Sequence, residues 1–178
     1  MYWGNLHRGI RTAHDGAVSP AISRDFPEHR GRLVVVCGLP GSGKTTLAKR
    51  LSTDSAAVRM YPDEWMEALG INLWDREVRA KVETLHWQIS QDLLAQGVTV
   101  VIEWGTWARV ERDVLRTRAR ELGATVELWH LNLSIDELWA RVAARQTEDP
   151  PITRSDLEEW FGQFEDPDDE ERALFDPH

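Results

Sequence analysis

Cysteine is almost absent from this chain: one of its 178 residues is cysteine, Cys37. No disulfide can form within the chain, which excludes a disulfide-framed secreted scaffold and fits a reducing, cytoplasmic setting. Cys37 itself reads as a small core residue. Long apolar runs are missing too. No stretch approaches the ~18 residues of a membrane span, and the first residues carry no apolar core of a signal peptide, so a cytoplasmic protein is expected. Lysine occurs only at Lys44, Lys49 and Lys81, leaving most of the basic charge to arginine. Positive charge as a whole is in deficit: the net charge is −9, with a strongly acidic run over residues 165–176. Such a surface repels long nucleic acids, which need a basic track. Internal repeats are absent. The length is that of one domain with a core large enough to stand without disulfides or structural metals.

Residues 1–30 mix Gly, Pro, His and Arg without period and are expected to form an irregular extension, with Trp3 a candidate to dock it. From residue 31 to 178 the pattern is that of one α/β domain. Apolar runs of strand length fall at 33–37, 56–60, 98–103 and 125–131. Helical patterns fall between them, at 46–52, 64–70, 75–96 and 108–122. Within 75–96, Val78, Val82, Leu85, Ile89 and Leu93 form an apolar stripe at helical spacing. Two capping signatures open further helices, Ser134 with Glu137 and Thr153 with Asp156. Between those two helices, residues 146–153 read as a lid. After Glu165 the chain reads as irregular. Glu127 suggests that the fourth strand has one exposed face.

The motif with the most chemistry is Gly38-Leu39-Pro40-Gly41-Ser42-Gly43-Lys44-Thr45-Thr46. This is a complete phosphate-binding loop, and it has the strand before and the helix after that such a loop requires. Its glycines let backbone N–H groups face an anion, and the helix N-terminus adds partial positive charge. Lys44 is expected to reach the β- and γ-phosphates of ATP, and the Thr45 hydroxyl to ligate Mg²⁺.

In an open parallel sheet, chemistry gathers where the strands end. The second strand delivers Asp63 there, either as the base that takes a proton from an acceptor hydroxyl or as a plain helix N-cap. The third delivers Glu103, which either holds Mg²⁺ through water or binds the acceptor. Arg141 and Arg145 share a helix face beside the lid, where they either clamp the transferring phosphoryl group or pair with Glu137 and Glu148. Arg109 and Arg112 begin the helix beside Glu103. Of the nine tryptophans, Trp65, Trp104 and Trp107 flank the two carboxylates and either stack on an acceptor or close the rim. Trp87, Trp129, Trp139 and Trp160 read as packing.

The run Cys37 to Thr46, then Pro62-Asp63-Glu64-Trp65, then Val100 to Glu103, then Trp107 to Asp113 resembles small bacterial P-loop kinases. The group is that of the polynucleotide kinases, chloramphenicol phosphotransferases and zeta toxins, AAA-type ATP-binding kinases. The likeness covers residues 33–167 and includes Phe164-Glu165-Asp166-Pro167. It implies a three-layer kinase-like fold with parallel strands in the order 2-3-1-4, room for a fifth strand, and a small lid. It implies Asp63 as general base, Arg141 and Arg145 on the ATP phosphates, and Arg109 or Arg112 on the acceptor. The group's polynucleotide kinases carry aspartate where this chain has Glu103. The expected activity is transfer of a phosphoryl group from ATP to a hydroxyl-bearing small molecule, by a monomer or homodimer. Phosphorylation of a polynucleotide 5′-hydroxyl and a non-catalytic ATP-binding module are the alternatives.

Overall fold

The computed structural model describes residues 30–145 and 149–178. The expected extension, including Trp3, and residues 146–148 of the expected lid lie outside the described residues. Strands β1 (Arg32–Cys37), β2 (Val58–Met60), β3 (Thr99–Ile102) and β4 (Thr125–His130) pair in parallel, in the order β2-β3-β1-β4. That is the order and fold expected, that of the P-loop kinases. Among the described residues there is no fifth strand.

β1 is central because both its faces are apolar. Leu33, Val34, Val35, Val36 and Cys37 are all completely buried, as a strand covered on both sides by helices must be. Alternation sends Val34 and Val36 to one face, where they meet Ala48 of α1 (Lys44–Asp54) and Val101 of β3. Leu33, Val35 and Cys37 go to the other face, with Trp87, Leu94, Leu115 and Ala119. Those residues come from α3 (Arg76–Ala95) and α4 (Arg109–Glu121). A third cluster joins Leu39 of the phosphate loop to Leu138 of α5 (Ile135–Arg145) and Leu157 of α6 (Arg154–Gln163). Both capping signatures form: Glu137 Oε2 accepts from Ser134 N, and Asp156 Oδ2 accepts from Thr153 N.

Four expectations need correction. The helix α2 (Pro62–Ala68) starts at Pro62, so Tyr61 is its N-cap and Asp63 is not. Proline fits the first helical position because no N–H is needed there. The apolar stripe of α3 is rotated: Leu85 and Ile89 are exposed, while Val82, His86, Trp87, Ser90 and Leu94 are buried. Glu127 is buried, not exposed, because Arg32 donates to both its oxygens at 2.6 and 2.8 Å. Burial opposes ionisation there, but the hydrogen bonds and charge of Arg32 hold its carboxyl below the usual range.

The acidic end of the chain is not irregular. It carries α7 (Asp169–Arg172), capped by Asp168, and it docks along the free edge of β4. Asp176 N donates to Val126 O at 2.7 Å, and Val126 N donates to Asp176 Oδ2 at 2.7 Å. The open edge of β4 is thereby covered at Val126.

Candidate active site

The phosphate loop takes the shape its glycines allow. Gly38 has φ 146 and Gly43 φ 101. At Gly38 a Cβ would meet Leu131 O at 2.7 Å, so no larger residue fits. Gly43 is the N-cap of α1, and no side chain caps that helix. The first N–H groups of α1 are therefore left for an anion. The Ser42 hydroxyl, buried without a partner, faces the same need. Lys44 Nζ rests on Leu39 O at 3.0 Å. Burial pushes its pKa down to about 8; Glu103 and Asp63 pull it back up, and Arg145 lowers it. A buried ammonium with no full counter-charge is what a polyphosphate would complete.

Arg141 leans over this loop, donating to Gly41 O and Ser42 O at 3.5 and 3.4 Å. Arg145, one turn on, acts on the Lys44 charge, so the end of α5 belongs to the same electrostatic site.

Glu103 follows Val101 by two residues and so points to the α1 face of the sheet. It is 2% exposed. Burial raises its pKa, against the pull of Arg59, the Thr45 hydroxyl and Lys44. Arg59 Nη1 holds Glu103 Oε1 at 2.9 Å, while Oε2 is buried without a partner. The Thr45 hydroxyl beside an orphaned carboxylate oxygen fits a hard cation that takes oxygen ligands and keeps several waters. Among the described residues no cluster of three or more His, Cys, Asp or Glu could hold a metal by itself. Of the two roles open for Glu103, this placement supports the metal side.

Asp63 lies on the same rim, near enough to act on Lys44. Its carboxylate caps no helix; it accepts from Arg79 Nη1 at 2.6 Å. Tyr61 stands between the two halves, in contact with both Thr45 and Asp63. Burial, then the Asp63 charge, push the Tyr61 hydroxyl far up, so it stays a neutral donor.

A family model described as an AAA domain matches residues 33–167. The chain belongs to that AAA-domain family. Among solved structures it is similar to a gluconokinase from Sinorhizobium meliloti 1021, at 23% identity over 81% of this chain and 80% of that one, with a TM-score of 0.56. It is similar to Kti12 of Chaetomium thermophilum, solved with ADP-AlF3, at 21% identity over 82% of this chain and 86% of that one, with a TM-score of 0.61. A chain of the Pnkp1/Rnl/Hen1 RNA repair complex matches at 21% identity and TM-score 0.66, over 79% of this chain but only 46% of that one. No curated protein matches. At these identities the likeness shows a shared fold.

In this AAA domain the residues expected to hold an acceptor divide. Arg112 is completely buried, and every one of its N–H groups is used. Nε and Nη2 donate to Glu171 at 2.6 and 2.9 Å, Nη1 to Thr106 O and Trp107 O at 3.0 Å, and Nη2 to Glu165 O at 2.8 Å. It secures the C-terminal segment and has no donor for a ligand. Arg109 faces the same segment, with its backbone N on Glu165 at 2.6 Å and its side chain 3.4 Å from Asp168. Trp107 packs against Trp160 in the Leu39 cluster, and Trp104 is buried beside His86. Only Trp65 presents an open face, 45% exposed, with His86 edge-on at 4.5 Å.

Sequence reasoning passed over Arg59, Tyr61 and Arg79, which meet Glu103, Thr45 and Asp63, and over Glu83 and His86 on the same side of α3. Arg79, Glu83 and His86 fall at helical spacing on α3, so a polar stripe, half-buried at Arg79 and Glu83 and buried at His86, was legible in principle. A cavity lined by Arg30, Gly31, Leu94 and Gly123 among others lies by the start of β1 and includes none of these residues.

Proposed function

We propose that this protein is an ATP- and Mg²⁺-dependent kinase for a hydroxyl of a small molecule such as a nucleoside, sugar or antibiotic. One observation carries the reading: Asp63, a carboxylate free of any capping duty, stands on the rim of the phosphate loop, within electrostatic reach of Lys44. A carboxylate near the attacking oxygen is what phosphoryl transfer to an acceptor requires. The acceptor oxygen attacks the γ-phosphorus, its proton passes to Asp63, and the bond to the β-bridging oxygen breaks to release ADP. Lys44, Arg141 and Arg145 neutralise charge on the oxygens of the transferring group. Thr45 and Glu103 would hold Mg²⁺, which would supply charge neutralisation for the phosphate oxygens. The net charge of −9 favours a small acceptor over a long polyanion.

The test is ATP consumption by the full chain across hydroxyl-bearing metabolites, nucleosides and antibiotics, with a 5′-hydroxyl oligonucleotide as a separate arm. ADP formation that depends on one small acceptor is the expected result. Turnover only in the oligonucleotide arm would make the protein a polynucleotide kinase. ATP binding without turnover in any arm would make it a regulatory module.

A further inference from the structure

Asp63 is held from outside its own helix. Arg79 of α3 donates from Nη1 to Asp63 Oδ1 at 2.6 Å and from Nη2 to Leu73 O at 3.0 Å. One planar guanidinium thus ties the carboxylate to the turn that precedes α3. That turn is pinned in its own right. Trp74 Nε1 donates to Pro150 O at 3.1 Å, and the Trp74 ring lies 6.1 Å from that of Trp160 on α6. Trp160 meets Trp107 at 5.9 Å, and both pack on Leu39, Leu138 and Leu157. Leu39 is part of the phosphate loop. A contiguous chain of packed and hydrogen-bonded groups therefore runs from the donor loop to Asp63.

We propose that Arg79 and Trp74 are positioning residues: they set where Asp63 stands relative to the phosphate loop, so that nucleotide on the loop is felt at α2. The proposal rests on the reading of Asp63 as general base. The need for such support is physical. At seven residues, α2 is too short to be stable on its own, and a misplacement of ~1 Å at a reacting group costs about 10²-fold in rate. A guanidinium that spans the carboxylate and a carbonyl fixes both position and orientation, which a point charge does not. A shorter route exists in Tyr61, which touches Thr45 and Asp63 directly. The two routes predict different outcomes for the same variants.

Amide hydrogen exchange over residues 61–69 decides between them, measured on the full chain with and without the Mg²⁺ complex of adenylyl imidodiphosphate. Calorimetry gives the affinity for the same complex. In the parent protein, binding should slow exchange by about threefold or more. Trp74→Phe removes the indole N–H with its five-membered ring and keeps an aromatic ring toward Trp160, and Arg79→Met deletes the bridge. Each should abolish the slowing with the analogue still bound at saturation, and Arg79→Lys should restore part of it, which a purely structural role would not require. Slowing that survives in both Trp74→Phe and Arg79→Met would assign the coupling to Tyr61 and overturn the proposal. Absence of slowing in the parent would overturn it as well. Failure of the analogue to bind would sink the nucleotide site and the proposal together. Undiminished transfer by Asp63→Asn would sink the base assignment, and with it the catalytic part of the proposal, while the exchange result would still report the coupling on its own.

Discussion

Lys44 and Asp63 carry the two halves of the proposed reaction, and Lys44 is held in a state that invites a partner. The Lys44 ammonium, pushed by burial down to about 8 from 10.5, binds fewer protons in the folded than in the unfolded chain between those values. Its contribution to stability therefore rises with pH through that window and is least favourable below pH 8. A polyphosphate reverses this by favouring the charged form. ATP binding at pH 8.5 should thus take up protons, seen as a calorimetric enthalpy that changes with the ionisation enthalpy of the buffer. Lys44→Met should abolish this dependence and weaken binding; a buffer-independent enthalpy in the parent protein would refute the cradle. For Asp63, substitution by Asn keeps the shape and removes the base. Transfer to the acceptor found in the screen should fall by about 10² or more, as for a lost general base, with ATP affinity retained. Unchanged turnover at saturating substrate would refute the role.

At the scale of the element, α3 shows how a helix can carry polar groups on a partly buried face. Arg79, Glu83 and His86 line one side, and Ser90 bonds back to His86 O at 2.7 Å. The cost of that burial is visible in Glu83. Burial raises its pKa to about 7, with Glu111 and Asp63 raising it further and Arg79 opposing. The folded chain therefore holds a proton there that the unfolded chain gives up between about pH 4.5 and 7, and this group's contribution to stability falls as pH rises through that window. Glu83→Gln should stabilise the protein at pH 8 and leave it unchanged near pH 4.5. Urea midpoints at the two pH values test this; an equal effect at both would assign the change to packing rather than titration. The same face explains why sequence reading turned the helix the wrong way. Val78, Val82, Leu85, Ile89 and Leu93 do repeat at helical spacing, but only a sheet and a second helix on the far side decide which of two adjacent stripes is covered.

At the scale of the whole molecule, the acidic run is the clearest case of charge misread without contacts. Residues 165–176 look like a solvated tail. Instead Glu171 is 1% exposed, paired in two bonds with a buried arginine, and Asp176 covers the edge of β4 at Val126. Glu171→Gln would leave the Arg112 cation buried and half-paired. A loss of about 3–5 kcal/mol is expected, as when one partner of a buried pair is removed. That is a large share of the ~5–15 kcal/mol of a typical domain. Urea unfolding measures it; a loss below about 1 kcal/mol would show that Arg112 reaches water in the variant.

The sequence by itself announced the phosphate loop. Its residues are contiguous, so a run of glycines, a lysine and a threonine between strand and helix could be read as one motif from their order alone. It also determined the parallel sheet, because strands buried on both faces are apolar throughout, and the caps of α5 and α6, because each is a local bond over three residues. Tertiary structure alone decided the rest. Arg79 meets Asp63, and Arg59 meets Glu103, across elements far apart in sequence, so no spacing could announce them. Arg112 went to the tail and not to an acceptor because Glu171 lies beside it only after the chain has folded back. Local chemistry is written in neighbouring residues; which charge meets which is settled by packing that brings distant residues together.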